Sequence, residues 1–262
     1  MVIKDLYQHF KPNEREFVEK IDDLANRVES TYSYLLTEFL NPRQIEISKS
    51  VLGHRDLLCF ISSDYYPTEY ARVLIAPNYY EFDVNDFNLV LLEINYNSKF
   101  NQLTHSQIMG ALLHELGVRR TVFGDILIDD GYAQIFIDKG MLTYCQENIS
   151  KIGKASVSLR ELLPSQLINS KQESQQLDII VSSMRLDRIV AATLKMSRTQ
   201  AVQLIEADKV KVNYQTYSKS SEILQIGDLI SVRGFGRVSL LRDNGFSKNG
   251  KFKLSIDKMI HK

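Results

Sequence analysis

Arg185-Leu186-Asp187-Arg188, Ser197-Arg198-Thr199-Gln200-Ala201, Val210-Lys211-Val212-Asn213 and Gly227-Asp228-Leu229-Ile230-Ser231-Val232 follow one another in the last third of the chain. The first stretch predicts a helix to about Leu194. Leu186, Ile189, Val190 and Leu194 fall in one apolar arc, and Arg185 and Arg188 lie on the other side. Lys195-Met196 interrupts it, and Ser197 with Gln200 is a capping-box pattern opening a second helix. Ala201, Val202, Leu204 and Ile205 supply its buried face. Arg198 stands in the first turn, where exposed N–H groups and the helix dipole favour an anion and a guanidinium adds a bidentate phosphate contact. Beyond Asp208-Lys209, Val210 to Tyr214 alternates apolar and polar residues like a half-wet strand. Lys219 follows in a loop, Leu229 to Arg233 is the return strand, and Gly234-Phe235-Gly236-Arg237 closes the segment. Two short helices on a small sheet would then form one compact positive surface for a strand, loop or bulged helix of RNA.

This pattern resembles the S4 domain: an R-L-D helix, S-R-x-x-A, V-x-V-N and a G-D-x-I-x-V return strand, in order over about 55 residues. The resemblance implies binding to structured RNA through Arg185, Arg188, Ser197, Arg198, Lys209, Lys211 and Asn213, to which Lys195, Lys219, Arg233 and Arg237 are added as neighbouring polar contacts. Two departures stand where the family usually has glycine, at Asp208 and at Tyr214.

The charge pattern agrees. The net charge is zero, yet residues 183–262 hold 15 Lys/Arg against 7 Asp/Glu, and residues 1–182 hold 17 against 25. A basic end suits a polyphosphate partner, because each neutralised phosphate releases a counterion. No apolar run reaches the ~18 residues of a membrane span, and Met1-Val2-Ile3-Lys4-Asp5 is not a signal peptide, so the expected location is the cytoplasm. Cys59 and Cys145 form no C-x-x-C pair and read as two buried, reduced thiols. Neither a metal nor another cofactor is expected.

Upstream, Phe17, Ile21, Leu24 and Val28 have helical spacing, and Asn41-Pro42 predicts an N-cap with proline at the first helical position, so the first 55 residues read as helical. Leu57–Ile61 and Arg72–Ile75 are short strand signals. Leu89 to Ile94 predicts a strand, Thr104 to Leu116 a helix ended by Gly117, and Val122–Ile128 with Ala133–Ile137 a hairpin across Asp129-Asp130-Gly131. Lys139 to Ile149 reads as a helix and Ala155 to Leu159 as a strand, which makes a βαββαβ plait. The expected fold class is α+β and multidomain. It comprises an N-terminal helical/β domain (1–80), a ferredoxin-like, RRM-like plait (81–165) as a possible second RNA surface, a linker (166–182), and an S4 domain with a C-terminal extension (183–262).

Leu103-Thr104-His105, Gly110-Ala111-Leu112, Gly117-Val118-Arg119-Arg120 and Gly124-Asp125-Ile126 are similar to the middle of the YlmH family of bacterial S4-domain proteins. Where that family often has Gly-Gly before a Glu-Arg pair, this chain has Ser62-Ser63, with Tyr70-Ala71 between Glu69 and Arg72. The resemblance implies action on the ribosome: rRNA and tRNA on the large subunit, in rescue or quality control of stalled translation. It also implies a possible link to cell-division proteins.

The same chain admits rival readings. An RNA-modifying enzyme would need a catalytic aspartate; Asp187 reads instead as a structural cap. Lys195-Met196-Ser197-Arg198-Thr199 looks like the K-M-S-K-S loop of tyrosyl-tRNA synthetases but has no nucleotide-binding domain before it. Gly234-x-Gly236 has no helix after it, against a methyltransferase loop. Asp129 and Asp130 read as hairpin turn, and His105 as a satisfied histidine near a cap. No catalytic residue is nominated. The plait has one aromatic in Ala133–Ile137 and no RRM signature, while Arg119 and Arg120 could form a small basic patch.

Overall fold

The computed structural model describes residues 10, 12–129, 131–168 and 174–259. The readings made of residues 1–5, of Asp130 and of linker residues 169–173 lie outside the described residues. The chain divides into two compact units, residues 1–170 and 171–262. The fold is α+β.

In the first unit, helix α1 (Arg15–Thr31) buries Val18, Ile21, Ala25 and Val28; of the four residues read from the spacing, Ile21 and Val28 are buried, while Phe17 and Leu24 flank that stripe half-buried. Tyr32, left-handed at φ 56°, ends it, and the short strand β1 (Leu35–Leu36) interrupts the stretch read as helical. Asn41 caps α2 (Pro42–Leu52) in a full capping box with Gln44. Strands β2 (Leu57–Ile61) and β3 (Val73–Pro77) complete a three-stranded sheet ordered β1-β3-β2.

The plait follows: β4 (Leu89–Tyr96), α3 (His105–Leu116), β5 (Phe123–Asp129), β6 (Tyr132–Asp138), α4 (Leu142–Asn148), β7 (Lys151–Ile152) and β8 (Ala155–Leu162). Thr104 caps α3 and Gly117 ends it at φ +61°. The helix read over Lys139–Ile149 is shorter: a 3-10 turn at Lys139–Met141 leads into α4, because Asp138 bonds the Gly140 N–H at 2.8 Å. The antiparallel sheet runs β5-β6-β4-β8-β7, the strand order of a split βαβ plait. Both helices pack on one face, over Val90, Leu92, Ile94, Ile135 and Ile137.

The other sheet face is covered by the N-terminal sheet's own loops. Leu91, Phe136 and Leu162 are buried beneath Phe39, Tyr66 and Tyr70. Gly124 permits this: a Cβ there would stand 2.8 Å from the Phe39 ring. Beside it, Asp125 accepts the Glu69 and Tyr70 backbone N–H groups. Arg72, buried, donates from Nε to Thr37 O at 2.8 Å and pairs with Asp138 at 2.9 Å. Ser62 Oγ accepts the Arg72 N–H at 2.9 Å. Gly124-Asp125 and the Ser62 to Arg72 loop are thus two halves of one docking contact.

In the second unit, β9 (Ser174–Val181), α5 (Leu186–Leu194), α6 (Arg198–Glu206), β10 (Val210–Val212), β11 (Gln215–Thr216), β12 (Leu229–Val232), β13 (Gly236–Phe246) and β14 (Phe252–Met259) form one sheet with two helices. Its order is β11-β10-β12-β13-β14-β9. The linker reading of residues 166–182 fails over 174–181. Those residues are β9, paired with β14 along its whole length, and their Leu177, Ile179 and Val181 feed the core. Gln176 and Asp178, which concealed the strand, belong to its wet face. Val210, Val212, Ile230, Val232 and Val238 meet Leu186, Ile189, Val190, Ala201 and Ile205 between sheet and helices.

Candidate nucleic-acid interface

Asp187 organises the helical side of the second unit. Its side chain is fully buried, at 0% exposure. Its carboxylate accepts Arg185 Nε at 3.1 Å, Arg185 Nη2 at 3.0 Å and Arg198 Nε at 2.8 Å. The N-cap residue of α5 and the first residue of α6 are therefore tied to one buried anion, and two cations against one anion leave the cluster positive. Burial pushes the Asp187 carboxyl up, but the hydrogen bonds and charges of Arg185 and Arg198 prevail and hold it below the ordinary carboxylate range.

Asp187 is therefore structural, but not as the helix cap expected from the sequence. The Leu186 and Asp187 N–H groups are already bonded, at 2.8 and 3.1 Å, to Glu222 O and Ser220 O of the loop that carries Lys219. The side chain is left to the guanidiniums. Ser197 does cap α6: its Oγ accepts the Gln200 N–H at 3.2 Å and its N–H bonds Gln200 Oε1 at 3.0 Å. Its hydroxyl thereby serves the helix. Lys195, left-handed at φ 53°, ends α5 and is exposed.

Arg188 is not part of the Asp187 cluster. It lines a cleft of about 370 Å³ with Ile180, Val181, Ser182, Ala191, Ala192, Arg198 and Lys251. Its Nε is buried without a hydrogen-bond partner. Lys251, brought in by the β13–β14 hairpin, was not nominated from the sequence. The only signal for it was a loose run of lysines, Lys248 and Lys251 between Phe246 and Phe252 and Lys253 just beyond.

The remaining nominees lie on the far side of the sheet. Lys211 pairs with Ser231 and Ser231 with Arg237. Their neighbours Val210, Val212, Val232 and Val238 face the helices, so these three face away from them. The Arg233 N–H bonds Lys209 O at 2.9 Å, which carries the pairing one step further and places Lys209 and Arg233 on the same outer face. The single positive surface expected from the sequence is thus divided. Arg185, Arg188 and Arg198 stand on the helical side, and Lys209, Lys211, Arg233 and Arg237 on the outer side of the sheet.

Asn213 acts as a bracket. Its Oδ1 accepts the Leu229 N–H at 2.9 Å and its Nδ2 bonds Asp228 at 2.8 Å. Asn213 and Tyr214, at φ 48° and 68°, form the left-handed turn between β10 and β11. Asp208 is also left-handed, at φ 55°. Both departures from glycine keep the glycine conformation, at a cost of about 1–2 kcal/mol for each side chain. The Tyr214 ring lies 6.0 Å from the Arg237 guanidinium.

In the plait, the sheet face on which RRM-type modules stack bases is the face buried beneath Phe39, Tyr66 and Tyr70. Gln134 is occupied there too, bonded to Gln166 O at 3.1 Å and the Ile168 N–H at 2.8 Å. Arg119 and Arg120 do not form the expected patch. Arg119 pairs with Glu38 at 2.8 Å, while Arg120 turns inward to the carbonyls of Phe123 and Gly124 and over the Tyr70 ring at 4.6 Å. Cys145 is buried and Cys59 half-buried, and burial pushes both thiols up to about 11. Among the described residues no His/Cys/Asp/Glu group could hold a metal ion.

Three family models match the chain: the YlmH N-terminal domain over residues 13–80, the putative RNA-binding domain in YlmH over 83–166, and the S4 domain over 184–230. The chain is 32% identical over 256 residues to ribosome-associated protein quality control protein P2 of Bacillus subtilis, covering 98% of this chain and 99% of that protein. It is also similar to a solved structure, cell division protein ylmH from Streptococcus pneumoniae, with 39% identity and a TM-score of 0.56 over 62% of this chain and 99% of that one. Matched along nearly its whole length, the chain belongs to the YlmH family.

Proposed function

We propose that the protein binds rRNA and tRNA on the large ribosomal subunit and acts in rescue or quality control of stalled translation, as a binding protein rather than an enzyme. The observation that carries this reading is the pair of guanidiniums, Arg185 and Arg198, fixed on the buried Asp187 at the starts of two helices. Such a pair holds phosphate oxygens without first having to be ordered. The name of the Bacillus relative supports the ribosomal setting. Asp187, the aspartate an enzyme reading would have used, is committed to ion pairs. Among the described residues no helix is long and apolar enough to cross a membrane.

The test is sedimentation of a cell lysate through sucrose at low and high salt. Migration with the large subunit, stripped by salt and by Arg198→Ala, is expected. Residence at the top of the gradient at low salt would overturn the ribosomal reading. A second reading, a cell-division adaptor, draws on the name of the streptococcal relative and on the acidic stretch 12–86, with 7 Lys/Arg against 14 Asp/Glu. Co-purification of division proteins from RNase-treated lysate would favour it.

A further inference from the structure

The β13–β14 hairpin reaches beyond the S4 match, which ends at residue 230. Near its tip Phe246 pairs with Phe252, their rings 4.8 Å apart, and Phe246 is 63% exposed. The tip is closed tightly: the Ser247 N–H bonds Lys251 O at 2.7 Å and the Lys251 N–H bonds Ser247 Oγ at 3.1 Å. Lys248, Lys251 and Lys253 around it are all exposed. Phe252 pairs in turn with Val181, and Val181 and Lys251 line the cleft shared with Arg188 and Arg198. An exposed aromatic ring on a fixed turn therefore adjoins a cleft with three cations, one of which has a buried N–H without a partner.

We propose that this hairpin captures one unpaired nucleotide of the bound RNA, its base on the exposed face of Phe246 and an adjacent phosphate in the cleft of Arg188, Arg198 and Lys251. The proposal rests on the RNA-binding reading and adds a contact outside the S4 segment. An aromatic face accepts any base by stacking, and only an unpaired base has a face to offer. The cleft's cations take the phosphate that such a nucleotide brings with it. An anionic membrane is the other partner that lysines around an exposed phenylalanine suit. One ring offers it little buried area, and the guanidinium cleft would have no role there.

The chain contains no tryptophan, so Phe246→Trp in the full-length protein is a single reporter. The probes are a stem-loop RNA with a single-stranded bulge and the same stem fully paired. Bulged RNA should quench the Phe246→Trp emission. Phe246→Ala should lose about five- to hundredfold in affinity for the bulged RNA and little for the paired stem, while Phe246→Tyr retains both. Unchanged melting of Phe246→Ala would show that the fold is intact. Wild-type affinity of Phe246→Ala for the bulged RNA, or an unquenched tryptophan at saturation, would overturn the proposal. If Arg198→Ala loses RNA and Phe246→Ala does not, the hairpin contact alone falls. If the wild type binds neither probe, the RNA-binding reading falls with it. A blue shift on phosphatidylglycerol vesicles without any response to RNA would assign the tip to a membrane instead.

Discussion

Replacing Asp187 by asparagine keeps the shape of the side chain and removes the charge that gathers Arg185 and Arg198. A hydrogen bond to a charged group contributes about 1.5–3 kcal/mol. Here the two arginine side chains are 30% and 54% exposed and can turn to water once released, so the lower end applies. A loss of about 2 kcal/mol follows, on the order of 10 °C in the melting temperature for a unit of this size. The acid limb of stability should change as well. A carboxyl held below the ordinary range stabilises the fold above about pH 4 and loses that contribution as pH falls through its folded value. Asp187→Asn should lack that limb.

The effect on RNA sets two terms against each other. Removing a negative charge about 6 Å from a bound phosphate favours binding by about 0.7 kcal/mol in a water-like dielectric. Releasing two guanidiniums means that each must be ordered again at the interface, at about 0.5–1.5 kcal/mol apiece. Positioning prevails, and Asp187→Asn should bind RNA roughly fivefold more weakly. Fluorescence anisotropy over a salt series separates this from loss of a contact. The cations remain, so the slope of log K against log salt should be unchanged in Asp187→Asn, whereas Arg198→Ala should lower it by about one. An asparagine variant that melts lower yet binds as tightly as wild type would refute the positioning role.

The first unit offers two more tests. Burial raises Asp125 to about 6 despite the N–H groups of Glu69 and Tyr70. The folded state then takes up a proton that the unfolded carboxyl, near 3.9, does not, so stability should rise as pH falls from about 7 to about 5. Denaturant midpoints should show this rise in the wild type and not in Asp125→Asn, and a fall on acidification would contradict it. Phe136→Ala, at the centre of the docking layer, should cost about 3–5 kcal/mol. Hydrogen exchange should then accelerate around Phe39, Tyr66 and Tyr70 as well as in β6; acceleration in β6 alone would show that the layer does not hold the two sheets together.

The helices, caps and plait order were legible because they depend on local periodicity and capping chemistry. Ser197 with Gln200 and Thr104 with Gln107 are complete in four residues each. The site was legible only as residue types. That Arg185 and Arg198 share Asp187 depends on a contact across eleven residues, which no spacing rule announces. β9 was missed because it opens on Ser174-Gln175-Gln176, its alternation of Leu177 and Ile179 with Gln176 and Asp178 is broken by Ile180, and its partner β14 lies some eighty residues later. Lys251 was missed for the same reason: its place beside Arg188 comes from the hairpin that carries it to the cleft. The covering of the plait's sheet face was equally hidden, since Leu91 and Phe136 read the same whether they face solvent or Phe39.

The division of cations between two faces also decides which of them is the better phosphate site. Lys209, Lys211 and Arg233 are exposed, and none makes a side-chain hydrogen bond among the described residues. Ordering such chains offsets much of what each ion pair contributes in water. Arg185 and Arg198 are already held on Asp187, and Arg188 lies in a cleft with a donor left unused. A phosphate arriving there meets donors whose ordering the fold has already supplied. The helical side should therefore contribute most of the affinity, and the outer face mainly long-range attraction. Lys211→Ala should accordingly slow association at low salt and leave dissociation unchanged, while Arg198→Ala should accelerate dissociation. Stopped-flow kinetics with one RNA stem would distinguish them, and equal effects of both variants on dissociation would show that the RNA grips both faces of the sheet.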